Sequence, residues 1–130
     1  MSALERFASA IEYPQAVPAE AVSFAFMVDG GEIRCLDLGK RLVFMRELTR
    51  QEDELMRLAR YCVGRILREE ASLFWDGEAA ILSQEIPTTA SAYEMRTSFE
   101  AFLDSCDWYL ARMEPVGINS SSFPEMVIRP

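Results

Sequence analysis

Hydrophobic residues recur at helical spacing in three segments of the chain, and five short segments bounded by turn signals have the pattern of strands. The longest helical pattern free of proline spans residues 49–71. One apolar stripe of this segment consists of Leu55, Leu58, Ala59, Cys62 and Ile66. A second row consists of Met56, Val63 and Leu67. Because one packing surface needs only one stripe, the second row predicts a further partner, which can be another chain.

The other two helical patterns lie near the ends of the chain. Residues 2–12 place Leu4, Phe7, Ala8 and Ile11 on one stripe. Residues 91–113 are amphipathic, with Met95, Phe99, Phe102, Leu103, Cys106, Leu110 and Met113 on one face. Ser91 with Glu94, and Thr49 with Glu52, have the spacing of a capping box and predict helix starts. Pro115 and Gly117 predict the end of the last helix near Met113.

The strand patterns form two groups. Residues 21–29 alternate, with Val22, Phe24, Phe26 and Val28 on the apolar face. Asp29-Gly30-Gly31 predicts a tight hairpin into residues 32–38, and Gly39-Lys40 a turn into residues 41–47. Residues 72–76 and 78–86 flank a second hairpin signal at Asp76-Gly77.

The predicted order is therefore α-βββ-α-ββ-α. Hairpins imply antiparallel pairing, and strand groups separated by helices imply an α+β fold with an antiparallel sheet packed with helices. We expect one domain over residues 1–114, followed by a C-terminal tail or arm over residues 115–130. A chain of 130 residues is large enough to bury a core without disulfides or metal.

The net charge of −8 and the pI near 4.6 disfavour nucleic acid and anionic membrane surfaces as partners. No apolar run reaches the length of a membrane-spanning helix, and the N-terminus lacks the apolar core of a signal peptide. Cys35, Cys62 and Cys106 are widely spaced in apolar stretches, which predicts buried thiols in a reducing compartment. We therefore expect a cytoplasmic protein.

The chain contains no histidine, which excludes histidine-based triads and histidine metal sites. It also lacks a glycine-rich phosphate loop, because Gly30-Gly31 stands between two strands. The acidic pairs Glu69-Glu70 and Asp29/Asp37 have no neighbouring nucleophile for general acid–base work. Asp104 and Asp107 share one helix face but provide too few ligands for a metal. The sequence therefore predicts no enzyme, no metal and no cofactor.

The element order, the size, the acidity and the apolar pattern resemble the class I type III secretion chaperones, the CesT/SycE-like group. The resemblance covers roughly residues 2–113. It rests on AVSFAFMVDGGEI, on LMRLARYCVGRILREE, on SLFWDGEAAILSQEIP and on FEAFLDSCDWYLARM. None of these is a catalytic motif.

The resemblance implies a homodimer that binds the N-terminal segment of a secreted effector as an extended chain and keeps it competent for export. The implied dimer interface lies on the central helix and the following strand, at Met56, Val63, Leu67, Leu73 and Trp75. The implied effector-binding positions are Leu4, Phe7, Ile11, Val22, Phe24 and Phe26. For each of these positions the alternative is a place in the core of the monomer.

Two other functions fit the same pattern. A YbjN-like protein is a regulatory or stress-linked dimer without a secreted client. A chaperone-like anti-regulator sequesters another regulatory protein. A co-purifying secreted partner held by its N-terminal segment favours the chaperone, and the sequence does not name the client.

Overall fold

The computed structural model describes the backbone of residues 1–65 and 71–117, and the side chains of residues 1–60 and 71–113. Within these residues the order of elements is the predicted one, α-βββ-α-ββ-α. The elements are α1 (Ala3–Ala10), β1 (Ser23–Val28), β2 (Gly31–Asp37), β3 (Arg41–Thr49), α2 (Glu52–Arg65), β4 (Ser72–Trp75), β5 (Ala80–Pro87) and α3 (Ala92–Gly117). The predicted α+β class is confirmed.

The five strands form one antiparallel sheet in the order β1-β2-β3-β5-β4. The β1–β2 hairpin turns through Asp29 and Gly30, whose φ angles are +50° and +81°. Two positive φ angles in a two-residue loop give the backbone twist that fits flanking strands. β1 and β4 are the edges of the sheet, and both are hairpin strands with a single strand neighbour in the described chain.

The core lies between α1, α3 and one face of the sheet, which we call the inner face. Phe7 of α1 stacks on Phe44 of β3 with ring centroids 4.9 Å apart, and Phe99 of α3 meets Phe7 edge-on at 5.4 Å. Phe102 and Leu82 are fully buried in the same cluster. Each such side chain contributes roughly 1.5–3 kcal/mol when it leaves water. The aromatic cluster therefore fixes α1 and α3 on the sheet.

The helix starts differ from the sequence prediction in one case. The Ser91–Glu94 capping box is confirmed: the Ser91 N–H donates to Glu94 at 2.8 Å, and the Glu94 N–H donates to the Ser91 hydroxyl at 3.1 Å. The predicted Thr49–Glu52 box is wrong. Thr49 ends β3 and its hydroxyl accepts from the Gln51 N–H, so α2 begins at Glu52 with Gln51 before it.

The predicted end of α3 at Met113 is also too early, because the helix continues to Gly117 through Pro115. A proline removes one helical hydrogen bond and crowds the preceding turn. Pro115 lies in the last turn, where this loss affects the helix end alone. Residues 118–130 of the predicted tail lie outside the described residues.

Candidate functional site

A groove of about 640 Å³ runs between the edge strand β1 and helix α3. We call it the edge groove. Its apolar walls are formed by Ile11, Tyr13, Phe26, Val28, Phe99 and Leu103. The groove exists because β1 extends past the cover that the short helix α1 provides. An apolar channel of this shape beside a strand edge fits an extended peptide.

The connector between α1 and β1 forms one wall of the edge groove and is held in place at several points. The Tyr13 N–H donates to the Ala8 carbonyl at 2.8 Å. The Tyr13 ring packs on Phe24 and Phe26 with centroid distances of 5.2 and 5.5 Å. Glu12, at the turn after α1, pairs with Arg96 of α3 at 3.3 Å. The wall is therefore part of the folded domain.

The outer edge of β1 offers backbone hydrogen-bonding groups beside the groove. The two-residue turn makes Val28 and Gly31 a hydrogen-bonded pair, and the Asp37 N–H donates to the Val22 carbonyl at 2.8 Å. Pairs alternate along an antiparallel ladder, so the N–H and C=O groups of Ser23, Ala25 and Met27 point away from β2. Within the described chain no strand pairs with this edge.

The predicted effector-binding residues occupy three different environments. Leu4 and Phe7 are fully buried in the monomer core, and Phe7 packs against the groove residue Phe99. Ile11 and Phe26 are half-buried and line the groove together, and Phe24 is half-buried behind Tyr13. Val22 is 71% exposed, outside the groove lining.

Sequence reasoning missed Tyr13, Phe99 and Leu103 as groove residues. A signal was available in α3, whose apolar stripe has seven members and is wider than the cover of one sheet face requires. Tyr13 had no periodic pattern around it, because the connector is neither helix nor strand.

The structure describes some of the predicted dimer-interface residues and not others. Met56 is 65% exposed on α2, whereas Leu73 and Trp75 of β4 are half-buried. The Val63 side chain and all of Leu67 lie outside the described residues. Phe74, which was not predicted, is 42% exposed on the opposite face of β4. The strand alternation of residues 72–76 could have identified it as the outward residue between two inward ones.

The described residues contain no cluster of three or more carboxylate or thiol groups able to hold a metal ion. The described cysteines, Cys35 and Cys106, are free and buried, and burial raises the pKa of each thiol to about 12. Both thiols therefore stay protonated at neutral pH. Across the described residues, no helix is both long and apolar enough to cross a membrane.

No known family model matches the chain, and no curated protein is similar to it in sequence. Solved structures are similar in fold. A chain of the HopA1–SchA chaperone–effector complex aligns with a TM-score of 0.66 and 16% identity, over 83% of this chain and 90% of that chain. A chain of the ExsC–ExsE complex aligns with a TM-score of 0.63 and 17% identity, over 84% and 89%. A chain from the Yersinia pestis type III secretion chaperone SycH in complex with a stable fragment of YscM2 aligns with a TM-score of 0.56 and 13% identity, over 82% and 96%. The predicted fold is thereby confirmed: the chain has the fold of the type III secretion chaperones.

Proposed function

We propose that the protein is a type III secretion chaperone that binds the N-terminal segment of a secreted effector as an extended chain and keeps it competent for export. The observation that carries the proposal is the edge groove, in which an apolar channel lies beside a strand edge that no other strand of the described residues pairs with. The similar folds in the HopA1–SchA chaperone–effector complex and in the type III secretion chaperone SycH support the same function.

The mode of binding follows from the groove. The effector segment adds a strand to β1, and its backbone bonds to the outward groups of Ser23, Ala25 and Met27. Alternate side chains of the segment then enter the channel lined by Phe26 and Leu103. An unfolded segment loses conformational entropy on binding, so a few large apolar anchors must bury enough area to compensate. Among the predicted binding residues, Ile11 and Phe26 contact the client directly, while Leu4 and Phe7 support the groove from beneath.

The working form in this proposal is a homodimer joined through α2 and β4. Met56 and Phe74 are large exposed apolar side chains on these two adjacent elements. Val63 lies within α2, Leu73 and Trp75 lie within β4, and Leu67 follows α2 in the sequence, outside the described residues. Large exposed apolar side chains are typical of protein interfaces when they form one patch, and we propose that Met56 and Phe74 contribute to such a patch. Two copies would present two edge grooves to one effector segment.

The test of client binding is a block of the β1 edge. Ala25→Pro removes the outward N–H without breaking a bond to β2, because residue 25 occupies a non-bonded position of that ladder. Ala25→Val is the matched control, since it keeps the N–H and favours the strand. Each variant is used to capture partners from the native cytoplasm, and proteolysis maps the bound segment.

We expect the parent and Ala25→Val to retain the N-terminal segment of a secreted protein, and Ala25→Pro to lose at least about tenfold in affinity. Circular dichroism checks that all three proteins are folded. Equal capture by Ala25→Pro would remove the β1 edge from the binding site. A parent that retains a regulatory protein and no secreted one would replace the chaperone function with the anti-regulator, and a parent without any partner would favour the YbjN-like function.

A further inference from the structure

Arg46 is a charged residue at an inward position of the sheet. The alternation of β3 places Leu42, Phe44, Arg46 and Leu48 on the inner face, and the other three side chains are buried. In the strand register Arg46 stands between Ile33 of β2 and Leu82 of β5, which are both fully buried. Its side chain is half-buried among apolar neighbours. A cation in such a place is costly unless an anion or hydrogen-bond acceptor accompanies it.

The Arg46 side chain extends toward the hairpin end of the edge groove. Its guanidinium lies over Gly31, so closely that a Cβ at this position would overlap it. Gly31 is the direct cross-strand partner of Val28, with Cα atoms about 5.5 Å apart in such a pair. Val28 lines the edge groove. The charge therefore stands beside the last apolar residue of the groove.

Within the part of the chain that the structure describes, the Arg46 guanidinium has no ion-pair or hydrogen-bond partner, whereas the backbone of Arg46 belongs to the sheet ladder. Other arginines of the sheet and of α3 do have one: Arg34 reaches Glu32 at 3.7 Å, and Arg96 reaches Glu12 at 3.3 Å. Arg46 does face the buried thiol of Cys106. Burial raises the pKa of Cys106, and the charge of Arg46 opposes that rise.

We propose that the effector segment bound in the edge groove contains an Asp or Glu whose carboxylate pairs with Arg46 at the hairpin end. This inference rests on the proposed chaperone function and specifies its client. A guanidinium binds a carboxylate through two parallel hydrogen bonds, and such a pair has a defined geometry as well as strength. The apolar channel tolerates many sequences, whereas one fixed charge sets the register of the bound strand.

The position of the acidic residue follows from strand geometry. Side chains of an added strand face the groove at every second residue. We therefore expect the acid two or four residues from the apolar anchor that sits between Phe26 and Leu103. The chain has a net charge of −8, so acidic residues elsewhere in the client are disfavoured.

The test uses a phage-displayed library of random 12-residue peptides, selected on the full-length protein. Selections are run in parallel on Arg46→Met, which removes the charge and keeps an apolar stem, and on Gly31→Ala, which displaces the guanidinium and keeps its charge. Arg34→Met is the matched control, because Arg34 lies on the outer face of the sheet and is exposed. Affinities are then measured for pairs of synthetic peptides that are identical except for Asp or Asn at the selected acidic position.

For the parent and Arg34→Met we expect an apolar consensus with an enriched acid at one fixed spacing, and an Asp peptide that binds at least tenfold more tightly than its Asn match. For Arg46→Met the apolar consensus should remain and the Asp advantage should fall below twofold. Gly31→Ala should reduce or shift the acid preference. An apolar consensus without an acid in the parent, or an undiminished acid preference in Arg46→Met, would overturn the inference and leave the chaperone function intact. If the parent selects no apolar consensus at all, both the inference and the proposed binding mode fail.

Discussion

Phe7 and Leu4 illustrate what decides the role of an apolar residue in this fold. Their spacing on a short helix is the same whether the stripe covers the sheet or receives a client. Burial by Phe44 and Phe99, which are distant in sequence, places Phe7 in the monomer core. A sequence pattern specifies which residues leave water, but the partner that covers them depends on the tertiary arrangement.

Phe7→Ala should therefore lower stability strongly. Removing a fully buried aromatic side chain costs about 3–5 kcal/mol of unfolding free energy, because transfer energy is lost and a cavity remains. Urea unfolding measures the difference. Met27→Ala is the comparison at an exposed position of the edge groove, where we expect a change within about 0.5 kcal/mol. Similar losses in the two variants would contradict the placement of Phe7 in the core.

Asp76 makes the free energy of unfolding depend on pH, and the direction of this dependence follows from the pKa of its carboxyl group. Its carboxylate accepts from the Glu78 N–H at 2.8 Å and from the Ala79 N–H at 2.9 Å, and these bonds lower its pKa. A group whose pKa is lower in the folded state stabilises the fold above its unfolded pKa, which for aspartate is about 4. This stabilisation is lost as the pH falls through the lower, folded pKa.

Asp76→Asn keeps an acceptor oxygen and removes the charge. We measure free energies of unfolding from pH 7 to pH 2.5 and expect the parent to be more stable than this variant near neutral pH. The advantage should begin to shrink below about pH 4, where the unfolded parent takes up a proton at Asp76, and should be lost once the pH passes below the lowered pKa of the folded state. A gap of constant size across this range would mean that the charge of Asp76 does not contribute.

At the scale of elements, helical periodicity, strand alternation and turn signals located the described helices and strands. β3 and β5 bury residues on both faces, so the turns before them supplied much of their signal. The ends were predicted less well. Thr49 and Glu52 have the spacing of a capping box, but the Thr49 hydroxyl accepts a hydrogen bond from the Gln51 N–H at the end of β3. Pro115 predicts the end of the helix, yet α3 extends two residues beyond it. Such ends depend on a few competing hydrogen bonds.

The edge groove could be predicted in part. The strand pattern of residues 21–29 identified Phe26 as an inward residue of β1, but the chain order alone does not show that β1 is an edge. That property results from β5 pairing with β3 and not with β1, although α2 separates β3 from β5 in the sequence. Arg46 had a sequence signal, since it interrupts an inward row of Leu42, Phe44 and Leu48. Its significance required the approach of its guanidinium to Gly31.

At the scale of the whole molecule, the two edges of the sheet have different proposed partners. The β1 edge lies beside the groove for the effector segment, and the β4 edge lies on the side of α2, where we propose the second copy. An exposed strand edge promotes association with other chains unless a partner or charge protects it. Assigning one partner to each edge accounts for both.

The dimer is tested by mass in solution. Met56→Glu combined with Phe74→Glu places two charges on the proposed interface, where burying them without partners would be costly. Sedimentation equilibrium of the parent should give twice the chain mass of 14.8 kDa, and the double variant should approach 14.8 kDa.

Met27→Glu is the matched control, because Met27 is 66% exposed and Met56 is 65% exposed, yet Met27 lies on β1 at the other edge. It should remain a dimer and lose client binding. A parent that sediments as a monomer, or a double variant that stays dimeric, would show that α2 and β4 do not form the proposed interface. Loss of the dimer in Met27→Glu would place the contact on the β1 edge, and the effector segment could not then bind there.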